Sequence, residues 1–311
     1  MTVRRFVQCD VFSPFPAQGN GLAVVVDAEG LSDDAMQRFA AWTNLAETTF
    51  LLAPTDPAAD YRVRIFTPTR EMPFAGHPTL GSCAAWLHAG GVPREPGRVR
   101  PQCAVGLVEV DVSCARTPAF RAPPTEVRPM DPATRDAIVG ALGIERDAIV
   151  RTAELCNGPV WQAFELASAD AVLAADASRV RWPAFRSIGL VGPHPPGAEC
   201  DHEVRMLAPS SGMSEDPITG SLNAALACWQ IAEGRLDGPR RIAQGTRIGR
   251  HGRVSVRPDG TGSAWIGGAG HALGVGARAL SARPAQAGGA HCIECSPIMF
   301  PSVSTTSAMC P

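Results

Sequence analysis

The sequence predicts an α+β protein of two similar domains, each a mostly antiparallel sheet wrapped around one apolar helix. Three observations carry that reading. Val63-Arg64-Ile65-Phe66-Thr67-Pro68 returns 141 residues later as Val204-Arg205-Met206-Leu207-Ala208-Pro209. Each copy is followed by an acid/base residue, a proline and a Gly-Ser pair. These are His77-Pro78-Thr79-Leu80-Gly81-Ser82 and, 139 residues on, Asp216-Pro217-Ile218-Thr219-Gly220-Ser221. The second intervening loop is thereby read as two residues shorter than the first. Finally, Leu80, Cys83, Ala84 and Leu87 repeat at helical spacing, as do Leu222, Ala225, Leu226 and Trp229. The period is too long for a solenoid, whose units run ~20–50 residues. Two such domains face to face would enclose one site between them.

Taken in order, Phe6 to Phe12 and Leu22 to Val26 read as strands joined by the Pro/Gly/Asn-rich turn Ser13 to Gly21. Ser32 is an N-cap for a helix through Met36, Phe39 and Ala40. Thr48 to Leu52 and Tyr61 to Phe66 read as strands. Pro78 sits where a first-turn proline belongs, and Gly90-Gly91 ends that helix. Ala115 to Pro129, rich in Pro, Thr and Arg, reads as a linker. Asp131 to Leu142 and Ser168 to Ala175 read as helices. Pro217 opens the second apolar helix and Gly234 follows its end. Arg253 to Val256 and Ser263 to Ile266 form a hairpin around Asp259-Gly260. Ala285 to Pro311 loses all periodicity and reads as a poorly ordered tail.

Composition narrows the function. Hydrophobic content of 45% with 19% charge is that of a soluble globular chain. A net charge of −2 without a basic run gives no reason to expect nucleic acid. Leu22 to Val26 is far too short to span a membrane or to serve as a signal segment, so the chain reads as cytoplasmic with no membrane partner. All 28 basic residues are arginine. Without lysine there is neither a Schiff-base lysine nor a P-loop lysine. The ten cysteines are scattered, and His291-Cys292-Ile293-Glu294-Cys295 is a lone C-x-x-C, short of a structural zinc set. No metal and no cofactor are expected. The glycine-rich Ile266 to Gly276 lacks G-x-G-x-x-G spacing and does not suggest a dinucleotide site.

The candidate chemistry follows from the repeat. A helix N-terminus offers free N–H groups and positive partial charge, and two opposed ones would cradle a carboxylate. His77 and Asp216 stand beside these starts as proton carriers. The alternative is that they merely cap the helices while Gly-Ser serves packing. Glu47 is a lone carboxylate within Asn44-Leu45-Ala46-Glu47-Thr48-Thr49-Phe50-Leu51-Leu52. In a cleft, desolvation would raise its pKa and make it a base near neutrality; otherwise it is a solvated strand-edge glutamate.

The chain resembles the PhzF-like isomerases of phenazine biosynthesis, a branch of the diaminopimelate epimerase and proline racemase superfamily. The matching segments are Phe6 to Phe12, Gln18 to Val25, Asn44 to Phe50, Tyr61 to Pro68, Pro73 to Thr79, Ser214 to Ser221, and Gln244-Gly245 with Gly249-Arg250. They lie in the family's order over about residues 4 to 280. The resemblance implies the diaminopimelate epimerase-like fold, with each sheet closing barrel-like around its helix. It places an N-terminal domain at 1–118, completed by about 268–284, a C-terminal domain at 125–267, and a tail at 285–311. It implies a cofactor-independent isomerase, usually a homodimer, acting on a small carboxylate. Glu47 is then the catalytic acid/base, and His77 and Asp216 hold and polarise the substrate. Asn20, Gly76, Gly220 and Ser221 would bind it. The best-known family reaction isomerises trans-2,3-dihydro-3-hydroxyanthranilate.

Three positions depart from the family pattern. Ala46 stands where serine is frequent, which removes a hydroxyl beside the glutamate. Gly21 stands where proline is frequent. Trp42, near the glutamate, either fills pocket space or closes the core. The superfamily's racemases use paired cysteines, but Cys83 and Cys228 lie well inside the helices at unmatched places. A one-base proton shift is therefore favoured over two-thiol racemisation. Amino-acid epimerisation and a non-catalytic binding role are the rival readings.

Overall fold

The computed structural model describes residues 2–114, 117–211 and 213–280. The expected tail, with Cys292 and Cys295, lies outside the described residues. So does the start of the expected linker. Among the described residues, one sheet has eight strands and the other twelve.

The first sheet runs from Gly270–Leu280 through Thr2–Val11, Asn20–Val25, Glu47–Leu52 and Tyr61–Phe66. Thr2–Val11 pairs with Asn20–Val25 as a hairpin, and its other edge receives Gly270–Leu280 from the far end of the chain. Asn20–Val25 and Glu47–Leu52 are parallel, so a crossover is needed between them. Helix α1 (Asp33–Thr43) supplies it, with Ser32 accepting a hydrogen bond from the Ala35 N–H. It ends at Asn44 in the left-handed region (φ 53°). Trp42 is 75% exposed, stacked on Phe39, so it fills neither a pocket nor the core.

The second sheet repeats this plan. Val160–Leu166 and Ile188–Pro193 are parallel, and His202–Leu207 follows antiparallel as Tyr61–Phe66 does in the first. The expected linker is not a plain connection. Ala119–Arg121 and Glu126–Arg128 are strands of the second sheet, as are Arg98–Val99 and Val110–Asp111. Helices α3 (Pro132–Leu142) and α4 (Ala169–Ala174) cover this sheet's outer face, α3 capped by Asp131 and α4 by Ser168. The late hairpin joins Gly252–Pro258 to Ala264–Gly267.

The apolar helices α2 (Gly76–His88) and α5 (Gly220–Ala232) sit on the inner faces. α2 packs on Thr2–Val11, Asn20–Val25, Glu47–Leu52 and Gly270–Leu280; α5 packs on Ile149–Cys156, Gly252–Pro258 and Ala264–Gly267. One apolar cluster contains side chains of both helices, including Leu80, Cys83, Leu222 and Trp229. Ala84 is exposed and Ala85 is buried, so the α2 stripe shifts by one position from its expected course.

Register corrects the second part of the repeat. Tyr61–Phe66 folds back so that Phe66 faces Glu71 and Ile65 faces Met72. His202–Leu207 folds back with Leu207 facing Glu215 and Met206 facing Asp216. The same ion pair locks both hairpins: Arg64 Nη2 to Glu71 at 2.7 Å, and Arg205 Nη2 to Glu215 at 2.8 Å. Past the turn the true equivalences are Glu71 with Glu215, Met72 with Asp216, and Gly76-His77 with Gly220-Ser221. The offset there is 144 residues, and the second loop is longer by three, not shorter by two. Gly81-Ser82 is not the counterpart of Gly220-Ser221. Gly81 instead packs tightly on Leu22 and Val11, and the Ser82 hydroxyl donates to Thr49. Pro217 does not open α5, which begins three residues later at Gly220.

Candidate active site

The starts of α2 and α5 abut with no side chain between them. A Cβ on Gly76 would lie 2.6 Å from the Gly220 Cα and the Ser221 N, and one on Gly220 would meet the Gly76 Cα at 3.1 Å. Only glycine permits that approach. Neither helix carries a side-chain N-cap; the capping positions are Ala75 and Thr219. The first-turn N–H groups of both helices are thus left for an anion.

Around this point the structure gathers Glu47, His77, Asp216 and Asn20. Glu47 opens its strand just after the left-handed turn at Asn44, which aims its side chain toward α2. His77 Nε2 lies 3.5 Å from Glu47 Oε2. The His77 side chain is 3% exposed and Glu47 15%, so the glutamate is the partner nearer solvent. His77 and Asp216, from different halves, meet through one amide. Asn20 Nδ2 is 3.2 Å from His77 Nδ1, donates to Asp216 Oδ1 at 3.1 Å, and donates to the Ile218 carbonyl at 2.9 Å. The other Asp216 oxygen accepts from the Thr219 hydroxyl. Neither His77 nor Asp216 caps a helix, so the capping alternative does not describe them.

A second layer fixes Thr219. Gln244 Nε2 donates to Thr219 Oγ1 at 3.0 Å, and Gln244 Oε1 accepts from the Thr219 N–H and from Asn223 Nδ2, each at 3.0 Å. Gln244 was visible in the sequence only as part of a matching dipeptide. Asn157 accepts from Trp161 Nε1 and donates to the Ser221 carbonyl, setting the indole beside the start of α5. Nothing in the local sequence marked Trp161.

Burial dominates the electrostatics. It pushes the Glu47 carboxyl well above the usual range, and the Asp216 charge adds to the push. Burial raises Asp216 to about 6, although the Thr219 and Asn20 hydrogen bonds oppose it. Burial lowers His77 to about 3 against a hydrogen bond with the Gly21 backbone. The His77–Glu47 contact therefore involves a neutral ring and is no charged ion pair. Among the described residues, Glu47 Oε2 and His77 Nε2 are both buried without a hydrogen-bond partner. Such orphaned atoms are uncommon; Glu47 lines a cleft, whereas His77 lies behind it.

The cleft beside Glu47 is bounded by both halves. Ala46, Thr67, Arg70, Met72 and Phe74 come from the first; Trp161, Ser187, Met206, Ser211, Asp216, Thr219 and Ser221 come from the second. Ala46 lines it, so the position where the family pattern frequently has a serine stands on the cleft wall. Ser187 is a further cleft residue that sequence reasoning missed. It precedes Ile188, which pairs with Leu207, as Glu47 precedes Thr48, which pairs with Phe66. Ser187 thus occupies the Glu47 position of the second half. Among the described residues no cysteine lines the cleft. Burial pushes the Cys83 thiol up to about 12. Among the described residues no cluster of His, Cys, Asp and Glu could hold a metal ion, and no helix is long and apolar enough to cross a membrane.

The chain is similar in sequence and fold to proteins of one known family. The family model described as phenazine biosynthesis-like protein matches residues 9–273. The trans-2,3-dihydro-3-hydroxyanthranilate isomerase of Pseudomonas fluorescens is 32% identical over 262 residues, covering 83% of this chain and 91% of that protein. The Schizosaccharomyces pombe protein named antisense-enhancing sequence 1 is 32% identical over 277 residues, covering 83% and 92%. Among solved structures, a predicted epimerase from Pseudomonas aeruginosa superposes with a TM-score of 0.75 at 28% identity, over 89% of this chain and all of that one.

Proposed function

The chain belongs to the phenazine biosynthesis-like family of isomerases, and from that premise we propose that it moves a proton within a small carboxylate substrate, without a cofactor, using Glu47 as its single acid/base. The substrate carboxylate lies against the uncapped starts of α2 and α5, near Gly76, Gly220 and Ser221. Glu47 as carboxylate removes a proton from one carbon. The electron pair left behind is delocalised toward the bound carboxylate, and the double bond shifts. The same carboxyl returns the proton to another carbon on the same face. His77 and Asp216 hold the substrate's polar groups on the other side of Glu47. The reaction is of the type named for the Pseudomonas fluorescens relative.

The observation that carries this reading is the buried Glu47 carboxyl on the cleft wall, whose Oε2 lies 3.5 Å from His77 Nε2 and has no hydrogen-bond partner among the described residues. Epimerisation by two opposed bases would need a second proton carrier across the substrate. The second half puts Ser187 at the matching place, which favours the one-base shift. Glu47→Gln is expected to keep the fold and to abolish substrate-dependent deuterium uptake from heavy water. A screen of cyclic and unsaturated carboxylates by mass spectrometry provides the assay. Wild-type uptake in that variant would remove Glu47 from the mechanism.

A further inference from the structure

Arg70 lines the wall of the cleft, yet it has no carboxylate partner within ion-pair distance among the described residues. Its near neighbours in the fold do. Arg64 holds Glu71, and Arg205 holds Glu215. The Arg70 guanidinium instead lies over Trp182, 5.0 Å from the ring centroid. Arg186 lies over the same ring at 5.3 Å. Two guanidiniums thus share one indole, and no acid separates them. Burial and the Arg186 charge both press against the Arg70 charge. Stacking occupies the face of a guanidinium and leaves its in-plane N–H groups free to receive an anion in two-point contact.

The surrounding polar groups point the same way. The Ser211 hydroxyl lines this cleft and is buried without a partner. The Thr69 hydroxyl donates to the Ser210 carbonyl at 2.7 Å, tying the Arg70 loop to the loop of the other half. Arg186 directly precedes the cleft-lining Ser187. Among the described residues, a cation without a carboxylate partner and a hydroxyl without a hydrogen-bond partner therefore line one cleft, and a second cation shares the Trp182 ring with the first. The carboxylate cradle of the two helix starts is a separate feature, so Arg70 is not needed for the first anion.

We propose that Arg70, backed by Arg186 across Trp182, binds a second anionic group, so that the substrate class is a small dicarboxylate. This rests on the proton-shift reading for the position of the first carboxylate, and it is tested without catalysis. A cyclohexene monocarboxylate and a matching cyclohexene dicarboxylate are titrated by calorimetry into wild-type protein, Arg70→Gln, Arg70→Lys and Glu47→Gln, with thermal melts confirming folding. The dicarboxylate is expected to bind wild type about tenfold more tightly than the monocarboxylate, as one charge-assisted contact allows. Arg70→Gln should erase that preference while leaving monocarboxylate binding unchanged, and Arg70→Lys should keep part of it. Equal binding of the two ligands, no binding of either at millimolar concentration, or a full preference in Arg70→Gln would overturn the proposal. Glu47→Gln should keep the preference. If that variant also exchanged deuterium normally, the proton-shift reading would fall while the second-anion site stood.

Discussion

Asp216 and His77 are buried together but respond to acid in opposite senses. The fold favours protonated Asp216, whose pKa rises from 3.8 to about 6. That contribution to stability is full below 3.8 and is lost as pH rises through about 6. The fold favours neutral His77, whose pKa drops from 6.5 to about 3. That contribution is full above 6.5 and is lost as pH falls toward about 3. Between these limits the two effects offset. Acidification from neutrality is therefore expected to cut activity through about pH 6, as Asp216 and Glu47 both hold protons, while the melting temperature moves little. Asp216→Asn removes one of the two raised carboxyls that oppose the His77 effect, the other being Glu47, so its melting temperature should fall more steeply with acid than that of wild type. Rate profiles and melts over one pH series check both, and an activity unchanged down to pH 5 would contradict the assignment. At this scale Asn20, Glu47 and His77 were legible because short strings surround them. Ser187, Trp161 and Arg70 were not, because they reach the cleft only through long-range strand register.

At the scale of elements, the meeting of α2 and α5 depends on two missing side chains. Gly76→Ala would drive a Cβ into the Gly220 backbone, where no flexible side chain can yield. It is expected to cost about 1–3 kcal/mol of stability and to suppress turnover by parting the anion cradle. Gly140→Ala is the control. That glycine is exposed in α3 with open space where its Cβ would go, and the change should stabilise by about 1 kcal/mol with activity intact. Denaturant melts and turnover of the two variants separate crowding from helix propensity. The helices themselves were legible from apolar spacing. Their equivalence was not, since His77-Pro78 and Asp216-Pro217 look alike as strings. Only the hairpin pairing of Glu71 and Glu215 reveals the longer second loop.

Over the whole molecule the sheets exchange strands across the middle of the chain. Arg98–Val99, Val110–Asp111 and Ala119–Arg121 complete the second sheet, and Gly270–Leu280 completes the first. A single apolar cluster runs through both inner faces. Unfolding in urea is accordingly expected to be one transition, coincident by tryptophan fluorescence and circular dichroism. Two separated transitions would show halves that stand alone. The two-fold plan was legible from one repeated strand. The strand exchange was only partly so: the return of the last strand followed from a family likeness, whereas Ala119–Arg121 was hidden in a Pro-rich stretch that reads as linker.

The Asn20 amide has two hydrogens and three acceptors. Ile218 has only a carbonyl to offer, so the contest is between Asp216 and His77. Ionised Asp216 takes the hydrogen, the imidazole keeps its own on Nδ1, and a bare Nε2 then faces a Glu47 that must be protonated. Protonated Asp216 releases the hydrogen to Nδ1, the imidazole hydrogen moves to Nε2, and Glu47 is free to be a carboxylate. Two carboxyls in different halves thereby divide one proton, and its address decides which of them can act as a base. Asn20→Ala has no hydrogens to lend, so it should shift the acid limb of the pH–rate profile; an unmoved limb would reduce the amide to a structural tie. In the proposed reaction the base is thus switched on from the opposite half, by Asp216 acting through the Asn20 amide and the His77 ring.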